Sequence, residues 1–273
     1  MTHPAPVGEH YSIDQDAAPA IELRSITQQY TVGTTTHTVM SDLDLTVAAG
    51  SFTSIVGPSG CGKSTLLNFI AGLTQPVAGS ARVFGQSPLD VRDQVGFIFQ
   101  SDALLPWCTV RDNVALPLRF RGLSRRSARA AADEWLDRVG LPGSGQKYPH
   151  QLSGGQRKRV SIASTLIYEP RILLMDEPFS ALDVQTRDRM ENDLLSLWAE
   201  TAQTVVFVTH DLEEAVGLSD RVVVLSAGPA EIRGDHSIDL DRPRDLQSLR
   251  FIPRFRELCE AVWRDLPASH QDT

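Results

Sequence analysis

Residues 52–72 read FTSIVGPSGCGKSTLLNFIAG: a short apolar strand, a glycine-rich turn, then Leu66, Leu67, Ile70 and Ala71 at helical spacing until Gly72 ends the helix. Inside this stretch Gly57, Pro58, Ser59, Gly60, Cys61, Gly62, Lys63, Ser64 and Thr65 satisfy the pattern G-x-x-x-x-G-K-[ST] in the context its chemistry needs, after a strand and before a helix. Residue usage alone would produce the pattern in about one chain of this length in a hundred, and the flanking strand and helix lower that further. Glycines let the backbone turn tightly so that N–H groups point inward, and the helix beginning near Lys63 adds the positive end of its dipole, so a polyphosphate is the natural ligand. Lys63 would reach the β- and γ-phosphates, Ser64 would offer its hydroxyl to Mg²⁺, and Thr65 would meet the nearer phosphate.

On either side of this unit the pattern is that of an α/β domain. Upstream, SDLDLTV (Ser41 to Val47) alternates Leu43, Leu45 and Val47 with polar neighbours, which predicts a half-buried strand of an antiparallel opening sheet. Downstream, apolar strands at Ile172 to Met175, Val205 to Val208 and Val222 to Leu225 alternate with helical segments, the signature of a covered parallel sheet wound on both faces. Between about residues 101 and 155 the strands disappear. There Ala128, Ala131, Ala132, Trp135, Leu136 and Val139 mark an amphipathic helix starting near Ser124 and closed by Gly140, a helical insertion. Residues 1–19 lack periodicity and read as a disordered tail. The main domain is placed at 20–235, and 236–273 form an extension whose Phe255, Leu258, Cys259, Val262, Trp263 and Leu266 share one helix face, suited to packing on the core.

Composition narrows the function. The net charge of -8, from 26 Lys plus Arg against 34 Asp plus Glu, has the wrong sign for a protein held on phosphate backbones, so no nucleic-acid partner is expected. No run approaches the roughly 20 apolar residues of a membrane span, and the opening MTHPAPVGEH lacks the features of a signal peptide, so the chain is expected to stay in the cytoplasm. Three scattered cysteines, Cys61, Cys108 and Cys259, suggest neither a zinc site nor a disulfide. Cys61, inside the phosphate loop, is either a tolerated small residue or a point of thiol sensitivity.

ILLMDEPFS (Ile172 to Ser180) places two acids at the C-terminal end of a buried strand, where open α/β sheets bind ligands. Asp176 is the expected Mg²⁺ partner, and Glu177 the group that orients the attacking water; a carboxylate is a weak base near neutral pH, so positioning is its main task. Gln100, ending GFIFQ, and His210, after VVFVT, occupy equivalent strand ends and are candidate sensors of the γ-phosphate, giving a catalytic set of Lys63, Gln100, Glu177 and His210.

LSGGQ (Leu152 to Gln156) is a second glycine-softened helix start and hence a second anion site. With the phosphate loop, Gln100, ILLMDEP, SALD (Ser180 to Asp183) and His210 in this order, the chain resembles ABC ATPases from about Ile21 to Ala230. The resemblance implies a P-loop NTPase (RecA-like) core with an antiparallel β subdomain and an inserted α-helical subdomain. It implies ATP and Mg²⁺ as cofactors, with Ser64, Gln100 and Asp176 at the metal. It also implies a head-to-tail pair of ATPase subunits, a homodimer here, in which Ser153, Gly154, Gly155, Gln156 and Asp183 act in trans. Tyr30 matches the aromatic residue stacked on adenine, unless it is a core aromatic.

LLPWCTVRDNVALPL (Leu104 to Leu118), QTRDRMENDLLSLW (Gln185 to Trp198) and FVTHDLEEAVGLSDRVVVLS (Phe207 to Ser226) look like the nitrate, sulfonate and taurine branch of bacterial importers. At Ser180 and across Gln156 to Arg159 the chain departs from that branch, which more often carries Gly and a Met-Arg-Gln-Arg run. The branch implies separate integral membrane permease subunits, an extracytoplasmic substrate-binding protein, and a place on the cytoplasmic face of the cell membrane. An exporter subunit is the nearest alternative, and a soluble ABC protein acting on ribosomes or DNA a more distant one.

Overall fold

The computed structural model describes residues 18–201 and 203–267; the tail expected over 1–19 lies outside them but for its last two residues. The described residues form two sheets. β1 (Ile21–Val32), β2 (Thr35–Val47) and β4 (Ala78–Val83) make an antiparallel sheet in the order β2-β1-β4. Its inner face carries Ile21, Leu23, Ile26, Met40, Leu43, Leu45 and Val47, all buried, as the alternation at Ser41 to Val47 predicts.

The larger sheet has six strands in the order β5-β6-β7-β3-β8-β9: β3 (Phe52–Val56), β5 (Val95–Ile98), β6 (Ile172–Asp176), β7 (Thr204–Val208), β8 (Arg221–Leu225) and β9 (Ile232–Ser237). All pairings are parallel except β8 with β9. The central strands FTSIV and TVVFV are buried at every position, because helices cover both faces. α1 (Lys63–Ile70) lies on one face with the antiparallel sheet, sharing a core of Leu66, Leu67, Ile70, Ile55, Val206 and Val223. α5 (Val184–Thr201) and α6 (Leu212–Leu218) lie on the other, around Phe52, Phe179, Phe207 and Trp198.

The inserted segment forms α2 (Val110–Phe120) and α3 (Arg125–Arg138), which pack on each other and on α4 (Gly154–Leu166) around a separate small core of Val114, Ala115, Ala128, Ala132, Leu136 and Val160. Ser124 caps α3, its hydroxyl accepting from the Ser127 N–H at 3.1 Å, and Gly140 leaves the helix at φ 71°. No helix among the described residues is long and apolar enough to cross a membrane.

At the C-terminal side the domain edge set at 235/236 falls inside β9, which continues to Ser237 and pairs with β8. IRGDHS has no apolar alternation because this edge strand is held by polar contacts: Arg221 reaches both Asp235 oxygens, at 2.7 and 2.6 Å. α7 (Leu246–Leu249) and α8 (Pro253–Asp265) then fold back, with Phe255, Leu258 and Val262 buried in the main core, while Trp263 stays half exposed.

Two stability tests follow. Phe207→Ala removes the ring that meets Phe52 and Phe179 at centroid distances of 5.9 and 6.1 Å, and should cost about 3–5 kcal/mol in chemical denaturation. Glu191, on α5, is 3% exposed, and its Oε1 has no hydrogen-bond partner among the described residues. Burial first, then the adjacent Glu214 carboxylate, pushes Glu191 up to about 9. A carboxyl raised in the folded state favours folding most at pH values below its ordinary 4.5, and that contribution is lost as pH rises toward 9. Glu191→Gln should therefore flatten the fall in stability across this window, read from denaturation midpoints at successive pH values.

Candidate functional site

The parallel ladders bring the ends of β3, β5, β6 and β7 to one edge of the sheet: Ile55 pairs with Val208, Asp176 with Val208, and Ile98 with Met175. The loop from Gly57 to Gly62 leaves β3 there and turns directly into α1. Two glycines are required by geometry. A Cβ at Gly57 would stand 2.8 Å from the Leu225 carbonyl oxygen. Gly62 caps α1 at φ 103°, and a Cβ there would collide with Met40 and Val39 of β2. Lys63 is buried, and its Nζ donates to the carbonyls of Gly57 at 2.7 Å and Pro58 at 2.9 Å, so the ammonium lies within the curve of the loop.

Ser64, in the first turn of α1, meets β6 here: its Oγ donates to Asp176 Oδ1 at 3.0 Å. Burial raises the Asp176 carboxyl above its usual range, against the lowering effect of the Ser64 hydrogen bond; Glu177 adds to the rise and Lys63 opposes it. A partly desolvated carboxylate beside a hydroxyl is a hard-oxygen pair that fits Mg²⁺, which takes one or two carboxylates and completes its shell with phosphate oxygens and water.

Glu177 follows β6 at φ 42°, in the left-handed region, and the position is fixed from several sides. Its N–H donates to the Val208 carbonyl at 2.9 Å, and the Ser180 hydroxyl donates to its carbonyl at 3.0 Å. Its Oε2 stands 3.1 Å from His210 Nδ1, so the two strand-end residues form a pair across β6 and β7. Gln100 Nε2 donates to Ser180 Oγ at 3.3 Å; its hydrogen-bond partner is thus Ser180 and not the Ser64–Asp176 pair. Cys61 is buried in the loop, and burial pushes its thiol up despite nearby Lys63.

The second half-site starts α4. Ser153 Oγ accepts from the Gln156 N–H at 3.3 Å while Gln156 Oε1 accepts from the Ser153 N–H at 3.0 Å, a reciprocal capping box. The first intrahelical bond is Arg157 N–H to Ser153 C=O, so the N–H groups of Gly154 and Gly155 precede it. A Cβ at Gly155 would stand 2.6 Å from Thr186 Cγ2, so glycine lets α4 lie against the start of α5. Asp183 caps that start, accepting from the Thr186 N–H at 3.0 Å; the Thr186 side chain first, and then this N–H, lowers its carboxyl. Tyr30 is 47% exposed on β1 opposite His37 of β2, and is not a core aromatic.

Sequence reasoning missed Arg187. It donates to the Leu182 carbonyl and to Asp211 Oδ2, both at 3.3 Å, joining the loop of Asp183 to the turn after His210. Its only trace in the sequence is a charge on an otherwise amphipathic helix, which reads as a solvated face.

The ABC transporter family model matches residues 40–180. The taurine import ATP-binding protein of Escherichia coli O157:H7 is 45% identical over 71% of this chain and 76% of its own length. The spermidine/putrescine import ATP-binding protein of Chromobacterium violaceum is 43% identical over 86% of this chain and 65% of its own. Among solved structures, a dimeric bacterial ABC transporter cassette superposes with a TM-score of 0.73 and 34% identity, covering 81% of this chain and all of that one. On fold, motif order and these likenesses together, the chain belongs to the ABC transporter family as one of its ATP-binding, ATP-hydrolysing subunits.

Proposed function

We propose that two copies of this chain pair head to tail, each phosphate loop facing the partner's Ser153 to Gly155, and that ATP hydrolysis in the pair drives solute import through separate membrane permease subunits. The chain would lie on the cytoplasmic face of the membrane, with an extracytoplasmic binding protein delivering a solute of the nitrate, sulfonate or taurine type. The observation that carries the reading is the single sheet edge at which Ser64 meets Asp176 at 3.0 Å and Glu177 meets His210 at 3.1 Å. The taurine and polyamine import relatives support the direction of transport.

In this reading the loop N–H groups and Lys63 neutralise phosphate charge, and Tyr30, exposed at the edge of the antiparallel sheet, offers its ring to the base. Ser64 and Asp176 would hold Mg²⁺, which would supply charge neutralisation to the bound polyphosphate. Glu177 orients the attacking water, and His210 fixes the Glu177 carboxylate from the next strand. Gln100, through Ser180, ties the end of β5 to the Glu177 backbone, so movement at either is felt by the other. The partner's Gly154 and Gly155 amides present a second set of donors to the γ-phosphate, and Asp183 borders them beside α5.

Glu177→Gln should leave nucleotide affinity within about threefold and cut turnover by about 10²–10⁴, with an ATP-dependent dimer accumulating in size-exclusion chromatography. Unchanged turnover would remove Glu177 from the mechanism. Lys63→Ala should instead weaken binding itself, read by titration with a fluorescent ATP analogue. For the solute, a host lacking the chain should lose uptake of labelled taurine or nitrate, regained with the wild-type chain but not with Glu177→Gln. Loss of polyamine uptake alone would move the chain to the polyamine branch.

A further inference from the structure

Lys158 sits in the second turn of α4, three residues past Gly155, and is 3% exposed. Its ammonium points back at one short segment after β5. Nζ donates to the carbonyls of Phe99 at 3.1 Å and Gln100 at 3.0 Å, and stands 3.6 Å from Asp102 Oδ1. The neighbouring Arg157 completes the hold: Nε donates to Asp102 Oδ2 at 2.9 Å, and Nη1 to the Leu152 carbonyl at 2.9 Å. Two adjacent cations thus fasten residues 99–102 to the start of α4.

We propose that Lys158 is a positioning residue that makes Gln100 and the Ser153–Gly155 helix start move as one body, and thereby couples the two ATP sites of a pair. An ammonium has three donors; two meet the Phe99 and Gln100 carbonyls, and the Asp102 carboxylate lies 3.6 Å from the same nitrogen as its counter-charge. A charge this deeply buried is costly without its partners, so the arrangement resists partial loosening. Burial pulls the Lys158 ammonium below its usual range while Asp102 opposes that pull, which makes the carboxylate part of the same unit. Gln100 is joined through Ser180 to the backbone of Glu177, so the unit extends from the helix start to the hydrolytic pair of the same chain. The inference rests on the head-to-tail reading above, in which Ser153 to Gly155 face the partner's nucleotide while Glu177 serves the chain's own. Nucleotide held by one subunit then biases the geometry at the other, a coupling of two sites through one rigid connection.

The experiment uses the full chain. Lys158→Met keeps the apolar stem and removes the donors; Lys158→Arg keeps donors and charge. With Lys158→Met, the Hill coefficient of ATP hydrolysis should fall toward unity, and the ATP-dependent dimer formed in a Glu177→Gln background should weaken by about tenfold. Binding of a fluorescent ATP analogue to the single subunit should stay within about twofold. Lys158→Arg should recover at least part of the cooperativity. An unchanged Hill coefficient and dimer affinity in Lys158→Met, whatever its melting temperature, would overturn the inference while leaving the head-to-tail reading intact. If Lys158→Met does not fold, Asp102→Asn decides: reduced cooperativity supports the coupling, and full retention overturns it. No ATP-dependent dimer in the Glu177→Gln parent would overturn both.

Discussion

The parallel register of β5, β6, β7 and β3 is the constraint on which the rest depends. Because these strands run the same way and pair in step, their carboxyl ends stop along one line, and whatever follows each strand is delivered to that line. Neighbouring strands lie about 4.8 Å apart, so Gln100, Glu177, His210 and the loop beginning at Gly57 come together without any of them contacting another in sequence. Burial of both faces makes the register hard to slip, since a one-residue shift would turn Phe52, Phe207 and Met175 away from the partners they pack against.

That edge is where the structure accepts unfavourable local geometry. Glu177 adopts a positive φ that a glutamate ordinarily avoids, and it is held by one backbone bond to β7 and by Ser180. Asp176 is partly desolvated, its carboxylate accepting from the Ser64 hydroxyl. Lys63 and Lys158 each place an ammonium among backbone carbonyls at the mouth of a glycine-rich helix start or just behind one. The apolar sheet beneath supplies the stability against which these features stand.

Much of this was legible in the sequence, for reasons of range. Strand β3, the glycine loop and α1 are specified by neighbours in the chain, and so are the capping box at Ser153 and the N-cap at Ser124, where side chains and N–H groups three residues apart suffice. β6, β7 and β8 declare themselves by unbroken apolar runs. β9 does not, because its place depends on Arg221 finding Asp235 across the sheet, and IRGDHS by itself resembles a polar loop. Within the site, residue types and strand ends were readable, but the partners were not. Gln100 lies against Ser180, eighty residues on, a contact set by tertiary packing that no local pattern encodes.

The charges that escaped the sequence reading share a location that bears on mechanism. Arg187 joins the loop of Asp183 to the turn after His210, and Lys158 with Arg157 joins the segment of Gln100 to the start of α4. On helical wheels these residues read as solvated faces, yet each bridges two loops drawn from different strands or subdomains. Loops at a sheet edge have few apolar contacts to fix them, so long cationic side chains that reach several carbonyls at once are an economical means of holding two loops in one relation. A site assembled from several strand ends needs such connections more than it needs additional apolar packing. Apolar packing fixes where a strand ends, whereas a cation shared between loops fixes how one loop responds when another moves.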